Sequence, residues 1–161
     1  MTKYITMFLS MFANANAKSI VTDAFLYKVA TIESNGNPNA VGDSKKALGM
    51  FQMHECAFKD ASAYIRMTNE NPFIFDFKPE WKNFKTAMKD ESAQAIFAKA
   101  YLKFIEHALQ KRGVKVTEMK IYMCYNMGVY GATGHDFDPN NKYLPPSKKA
   151  IFLRASKYLN Q

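Results

Sequence analysis

Residues 29–53 read VATIESNGNPNAVGDSKKALGMFQM, a passage from a helix into a long polar loop. Apolar side chains recur at intervals of three and four up to this point, which predicts a helix over residues 19–34 with one buried face. Asn35 and Gly36 should end that helix, because both residue types tolerate the left-handed backbone of a helix C-terminus. Residues 35–49 are rich in turn formers, so we expect a loop or a minimal β-hairpin there.

The rest of the chain predicts more helices and little strand. The predicted helices span residues 54–67, 90–112 and 117–127, and a last helix is capped by Ser147. On the long helix, the expected buried row is Phe97, Tyr101, Phe104 and Ala108. Over residues 69–79, phenylalanines at every second position predict a short strand or an extended segment. The sequence therefore predicts a mainly α, single compact domain in which a Gly/Asn-rich loop or minimal β-hairpin follows the first helix.

Composition excludes some classes of protein and leaves others open. The chain has 161 residues, of which 48% are hydrophobic and 22% are charged, as in one ordinary globular domain. Its formal net charge of +8 favours polyanions, but does not choose among nucleic acid, anionic lipid and an anionic cell wall. The basic pairs at residues 45–46, 111–112 and 148–149 are scattered, so we expect no nucleic-acid-binding stripe. No apolar run reaches the roughly 18 residues of a membrane-spanning helix, so no integral membrane segment is expected.

The first residues resemble a secretory signal peptide. Lys3 precedes an apolar run over residues 5–13, and two overlapping Ala-x-Ala sites end at Ala15 and Ala17. Cleavage after Ala17 would leave residues 18–161 as the domain, in the periplasm or secreted. The alternative is an N-terminal amphipathic helix that packs on the domain.

Neither the cysteines nor the histidines suggest a metal site. Cys56 and Cys124 are not part of a Cys-x-x-Cys pair. In an exported chain they could form one bridge, but we expect both to be unpaired residues of the core. His54 and Glu55 lack the second histidine of a zinc protease. The acidic segment 136–140 lacks the glycine and the glutamate of a calcium loop. We therefore expect no metal and no other cofactor.

Glu33 is the first candidate for chemistry. It lies at the edge of the apolar face in the last turn of the predicted helix, directly before the polar loop. A half-buried carboxyl there would have a raised pKa, as a general acid for glycoside cleavage requires. On position alone, a surface glutamate at a helix end is the simpler interpretation.

Four sequence motifs, one of which contains Glu33, favour the catalytic interpretation of this residue over the surface one. In chain order they are Glu33-Ser34, then Asn37-Pro38-Asn39-Ala40, then Gly49-Met50-Phe51-Gln52, and finally Tyr125-Asn126-Met127-Gly128. In this order and spacing the chain resembles the soluble lytic transglycosylase family of the lysozyme-like superfamily. The resemblance is close over residues 32–53 and 122–128 and diffuse between them.

The resemblance implies a lysozyme-like fold and a peptidoglycan-cleaving enzyme. Glu33 matches the single catalytic acid of the family, which protonates the glycosidic oxygen between N-acetylmuramic acid and N-acetylglucosamine and then acts as a base. The 6-hydroxyl of the muramic acid then attacks the anomeric carbon and leaves a 1,6-anhydro product.

Other site residues follow from the same resemblance. Ser34 matches a polar neighbour of the acid, and Gln52 matches a groove residue that hydrogen-bonds the substrate. Tyr125 and Asn126 match the pair that closes the opposite side, with Tyr125 expected to hydrogen-bond near the acid. Phe51 departs from the methionine of many members and adds a ring that could stack on a sugar.

Two polar residues near the motifs leave alternatives open. Asp43 could be a second carboxylate that holds a water, if it lies roughly 6.5 to 9.5 Å from Glu33, and the enzyme would then be an inverting hydrolase. The simpler interpretation of Asp43 is an Asx residue that stabilises its loop, and it is the one we favour. His54 could bind sugar in the same groove or cap the following helix.

The expected partner is the glycan strand of peptidoglycan, bound by a monomer. Such an enzyme could serve a secretion, conjugation or phage assembly, and the sequence does not separate these settings. A catalytically silent glycan-binding module and a cationic helical domain that binds nucleic acid are the alternatives from other classes.

Overall fold

The fold is described from a computed structural model over residues 18–68 and 74–160. The predicted signal peptide, residues 1–17, lies outside these residues. The helices are α1 (Asp23–Ser34), α2 (Glu55–Thr68), α3 (Ile74–Phe77), α4 (Phe84–Ala87), α5 (Glu91–Lys111), α6 (Glu118–Gly134) and α7 (Pro146–Ala155). Strands β1 (Val41–Gly42) and β2 (Ala47–Leu48) pair as an antiparallel hairpin, with Val41 opposite Leu48. This confirms the predicted fold class, a mainly helical, compact lysozyme-like domain with a small hairpin after the first helix.

The strand predicted over residues 69–79 is wrong where the structure describes it. Residues 74–77 form the short helix α3, and the amide of Lys78 donates to the Ile74 carbonyl at 3.0 Å. A strand needs a neighbouring strand to satisfy its backbone, whereas a helical turn satisfies its own groups. Pro79 then begins a 3-10 turn that buries Trp81.

Helix α5 is the centre of the core and packs against α2 and α6. Its Phe97 is fully buried, and the ring centroid lies 4.4 Å from that of Phe58 on α2. The predicted buried row is only partly right, because Tyr101 and Phe104 are half-buried. The deeper residues are Leu102, Ile105 and Leu109. Since α5 has helices on more than one side, burial does not follow a single stripe.

An ion pair joins the two helices that carry the motifs. The ammonium of Lys28 on α1 lies 2.8 Å from a carboxylate oxygen of Glu118, in the first turn of α6. Both side chains are partly buried, so screening by solvent is reduced. The contact stabilises α1 beside α6, which places Glu33 near Asn126.

Within the described residues, 18–68 and 74–160, no helix is long and apolar enough to cross a membrane. Cys56 and Cys124 are both free, as expected, but only Cys124 is buried, so the expectation of a core position is wrong for the exposed Cys56. Burial raises the pKa of the Cys124 thiol to about 12.

Candidate active site

Glu33 lies where α1 ends. Asn35 adopts the left-handed backbone (φ 56°) that terminates the helix, as predicted, and the chain turns into the polar loop. The Glu33 side chain is half-buried, and its Oε1 accepts two hydrogen bonds. The donors are the Tyr122 hydroxyl at 2.7 Å and the Asn126 side-chain amide at 3.1 Å.

Helix α6 presents both donors because Tyr122 and Asn126 are one helical turn apart and share a face. Tyr125 points to a neighbouring position and donates its hydroxyl to the Phe51 carbonyl at 2.6 Å. The direct partner of the acid is therefore Tyr122, whereas Tyr125 lines the same cleft and hydrogen-bonds the neighbouring backbone. The spacing of four residues from Asn126 was the signal in the sequence that could have identified Tyr122.

The electrostatics of Glu33 combine opposing effects. Burial raises the pKa of the Glu33 carboxyl above its ordinary value of 4.5, and it is the largest influence. The Tyr122 hydrogen bond, the charges of Arg154 and Lys148, and the Asn126 hydrogen bond act in the opposite direction. The net pKa remains raised, so Glu33 holds its proton to higher pH than an exposed glutamate does. A carboxyl of this kind is a better proton donor above the ordinary pKa of a glutamate than an exposed side chain is.

Glu33 opens into a polar cleft of about 420 Å³. The cleft is lined by Glu33, Asp43, Ala47, Gln52, His54, Tyr125, Asn126 and Lys148. The structure thus brings together all of the predicted site residues except Ser34. The Ser34 hydroxyl donates to the Met50 carbonyl at 2.7 Å, so this side chain braces the loop rather than lining the cleft.

Asp43 and His54 meet on the hairpin side of the cleft. His54 Nε2 lies 3.4 Å from Asp43 Oδ2, and both side chains are substantially exposed. Asp43, Ser44 and Lys45 have φ values of 45°, 53° and 72°, a left-handed turn made without glycine. Such backbone strain clusters at functional sites, and here it lies at the edge of the cleft.

Gln52 is held in place by close packing against the hairpin. Its backbone is also left-handed (φ 47°), and its side-chain amide donates to the Gly49 carbonyl at 2.9 Å. A Cβ at Gly42 would meet the Gln52 Oε1, which is the movable end of that side chain, so a larger residue there would displace the Gln52 amide. Phe51, beside it, is only 3% exposed. The expectation that the Phe51 ring stacks on sugar is therefore wrong, because the ring belongs to the core.

Gln94 of α5 fixes the loop from below and was not predicted. It is 2% exposed, and its Oε1 accepts from the Met50 amide at 2.7 Å. Its Nε2 donates to the carbonyls of Pro38 and Met88, each at 2.9 Å. The approach is so close that a Cβ at Gly49 would overlap the Gln94 side chain. A lone glutamine within an apolar helical row was the only hint in the sequence.

Lys148 was also missed as a residue of the site, because it reads as part of a scattered basic pair. Its ammonium donates to the Asn126 carbonyl and to Asn126 Oδ1, both at 2.8 Å. No local pattern links residues so distant in sequence.

A mainly helical domain with a half-buried glutamate facing a polar cleft is the arrangement of a lysozyme-like glycosidase. The family model for the transglycosylase SLT domain matches residues 10–134, which is most of the chain. The protein therefore belongs to the transglycosylase SLT domain family, as the motifs indicated. Membership supports, in general, a peptidoglycan-cleaving activity of the lytic transglycosylase type. Comparison with curated proteins and with solved structures gave no match.

Proposed function

We propose that the protein is a lytic transglycosylase that cuts the β-1,4 bond between N-acetylmuramic acid and N-acetylglucosamine, with Glu33 as acid and then base. The observation that carries this proposal is the Glu33 carboxyl itself. It faces the cleft, its pKa is raised by burial, and Tyr122 and Asn126 both donate to the same oxygen.

The pattern of hydrogen bonds assigns different roles to the two carboxyl oxygens. Oε1 accepts from two donors, so in the neutral acid the proton belongs on Oε2. Oε2 gives that proton to the glycosidic oxygen as the bond to the anomeric carbon breaks, and the N-acetylglucosamine leaves with a new hydroxyl. The resulting carboxylate is stabilised by the donors on Oε1 and by the charge of Lys148.

The second step returns the proton. The Glu33 carboxylate takes the proton of the 6-hydroxyl of the muramic acid while that oxygen bonds to the anomeric carbon. A 1,6-anhydro ring forms, no water is consumed, and Glu33 is again neutral. Gln52 and His54 line the same cleft and supply hydrogen-bonding groups for the sugar.

The setting follows from the substrate. We propose that the protein acts in the periplasm or after secretion, where peptidoglycan lies, and that its net charge of +8 draws it to an anionic wall. Service to a secretion, conjugation or phage assembly is part of the same proposal.

The experiment is mass spectrometry of the soluble products from isolated peptidoglycan incubated with the wild type and with Glu33→Gln. We expect anhydromuropeptides from the wild type and a loss of about a hundredfold or more in Glu33→Gln. Glu106→Gln is the matched control, because Glu106 is a buried glutamate whose partners are Ser19 and Ile20, outside the cleft. Near-normal cleavage by Glu33→Gln, with both variants folded, would contradict the proposal. Binding to peptidoglycan without products from any of the three proteins would favour a glycan-binding module.

A second candidate is an inverting hydrolase in which Asp43 holds the attacking water. It is favoured by one observation, that Asp43 lines the same cleft as Glu33. The products distinguish the two reactions, since hydrolysis leaves reducing ends in place of anhydro rings. Under the hydrolase mechanism Asp43→Asn would abolish cleavage, whereas a transglycosylase would retain most of its activity.

A further inference from the structure

Lys148 is placed against the ordinary preference of its helix. It lies in the first turn of α7, where the positive end of the helix dipole favours acidic side chains, yet that turn contains none. It also lies beyond residues 10–134, which the family model matches. Its position therefore needs an explanation from its contacts in this chain.

Those contacts are with the end of a helical segment. Gly128 (φ 75°, ψ 161°) breaks α6, so Asn126 lies in the last turn before the break, where a helix leaves carbonyls without their usual partners. The Lys148 ammonium donates to the Asn126 carbonyl and caps this turn. The same ammonium donates to Asn126 Oδ1.

The second contact determines which way the Asn126 amide points. An ammonium has only donors, so it must face the side-chain oxygen of Asn126, and the amide nitrogen is left to face Glu33. That nitrogen donates to Glu33 Oε1 at 3.1 Å. A hydrogen-bonded chain thus runs from Lys148 through Asn126 to Glu33.

We propose that Lys148 is a positioning residue for Glu33: it fixes the Asn126 amide toward the acid and places a positive charge beside the carboxylate that forms when the acid gives up its proton. This inference rests on the proposed function, because it takes Glu33 as the general acid.

The role has a signature in the pH dependence of the reaction. The polar and charged groups around Glu33 are Tyr122, Tyr125 and Asn126 from α6, Lys148 and Arg154 from α7, and Asp43, Gln52 and His54 across the cleft. Of the two cations, Arg154 lowers the pKa of Glu33 more but is exposed, whereas Lys148 lines the cleft and contacts Asn126. Arg154 is present in every Lys148 variant, so it does not account for a difference between them. A nearby cation favours the carboxylate, so removing Lys148 should raise the pKa of Glu33 further. Because the acid must be protonated, activity would then persist to higher pH.

The experiment compares Lys148→Met with Lys149→Met by initial rates of muropeptide release from isolated peptidoglycan across pH. Lys149 is exposed and adjacent, so its variant loses the same net charge and the same attraction to the wall. For Lys148→Met we expect kcat to fall about tenfold, as for loss of one charged hydrogen bond. We also expect the alkaline limb of the pH–rate profile, where the rate declines as Glu33 loses its proton, to move to higher pH. Lys149→Met should match the wild type in both respects. Lys148→Arg should restore the position of the limb, because it keeps the charge.

An alkaline limb that does not move in Lys148→Met, or that moves equally in Lys149→Met, would overturn the inference. If Lys148→Met does not fold by circular dichroism, Lys148→Gln serves instead, since it can still donate to Asn126 but has no charge. The alkaline limb of Lys148→Gln should also lie at higher pH than that of the wild type, and a limb at the wild-type position would contradict the inference. An inactive wild type, or an active Glu33→Gln, would refute the proposed function itself. If Glu33→Gln is inactive while the Lys148 variants have the rate and pH profile of the wild type, only the role of Lys148 is refuted.

Discussion

Burial and hydrogen bonding have opposite effects on the pKa of the Glu33 carboxyl. Burial disfavours the carboxylate, while Tyr122 and Asn126 favour it by donating to Oε1. Burial is the larger influence, so the pKa is raised, but the donors keep ionisation within reach during a reaction cycle. An acid that must first give and then take a proton needs both properties.

Tyr122→Phe tests the stronger of these donors. The change removes the hydroxyl that donates to Glu33 and keeps the buried ring, which packs edge-on against Phe152. The pKa of Glu33 should rise further, so the alkaline limb of the rate profile should move to higher pH. The free energy of unfolding at neutral pH should fall by about 0.5 to 1.5 kcal/mol, because Oε1 of Glu33 loses one of its two donors and keeps Asn126. Initial rates across pH and urea unfolding measure the two effects.

The control for this variant is Tyr125→Phe. Tyr125 donates to the Phe51 carbonyl and not to the acid, so this change should leave the limb in place whatever it does to the rate. If the alkaline limbs of the two variants lie at the same pH, the Tyr122 hydroxyl does not influence the pKa of Glu33.

Residue roles were predictable from the sequence to different degrees. The helical period and the turn formers after Ser34 placed Glu33 at a helix end, and the motifs suggested Gln52 and Asn126. The Tyr122 contact was accessible in principle through helical spacing. The contact of Lys148 with Asn126 was not, because it depends on how α7 packs against the end of α6.

The hairpin β1–β2 is too small to be stable by itself. Each strand has two residues, and an isolated hairpin is at best marginal in water. The structure supplies the missing stability through Gln94, whose side chain joins α5 to the loop at Pro38 and Met50. The side of the cleft that carries Gln52 and Asp43 is therefore anchored to the core of the domain.

Gln94→Leu tests this anchor. The variant keeps a side chain of similar size but leaves the Met50 amide and the carbonyls of Pro38 and Met88 without their partner. We expect the free energy of unfolding to fall by about 2 to 4 kcal/mol, as for buried groups left unsatisfied. Urea unfolding measures the loss, and cleavage of peptidoglycan should fall even where the variant is fully folded. Gln110→Leu on the exposed side of α5 is the control and should change stability by less than about 0.5 kcal/mol. Equal stabilities of the two variants would show that Gln94 does not anchor the loop.

Helices were easier to predict than the faces they bury. The predicted bounds of the long helix, residues 90–112, agree with Glu91–Lys111, and Asp90 caps it through two backbone amides. Its buried row was misassigned because a central helix contacts several neighbours, so hydrophobic period alone does not fix one face. The alternating aromatics over residues 69–79 misled for a related reason, since alternation indicates a strand only where another strand is available for pairing.

For the whole molecule, the fold class followed from local signals, while the site depended on tertiary packing. Periodicity and turn composition predicted a mainly helical domain with a small hairpin. The cleft forms only when α1, the hairpin, α6 and α7 meet, and the last of these lies outside the matched family residues. Distant segments are thus held together around a carboxyl that is costly to ionise, which links the stability of the domain to its site.

Glu33→Gln measures that link. In the unfolded chain the Glu33 carboxyl ionises near its ordinary pKa of 4.5, whereas in the fold its pKa is raised. The folded state then binds more protons at Glu33 than the unfolded state between these two values. The contribution of Glu33 to wild-type stability therefore falls as pH rises through this window and is constant above it. Glutamine has no such cost and can still accept from Tyr122, so the variant should be more stable than the wild type at neutral pH. The difference in stability between the variant and the wild type should shrink as the pH is lowered toward 4.5, and urea midpoints at a series of pH values would measure it.

Glu55→Gln is the control, because the pKa of the exposed Glu55 is lowered by Lys59 and its replacement should give no gain in stability at neutral pH. A Glu33→Gln variant less stable at neutral pH, by an amount independent of pH, would mean that the folded site stabilises the carboxylate, and Glu33 would then be a poor proton donor.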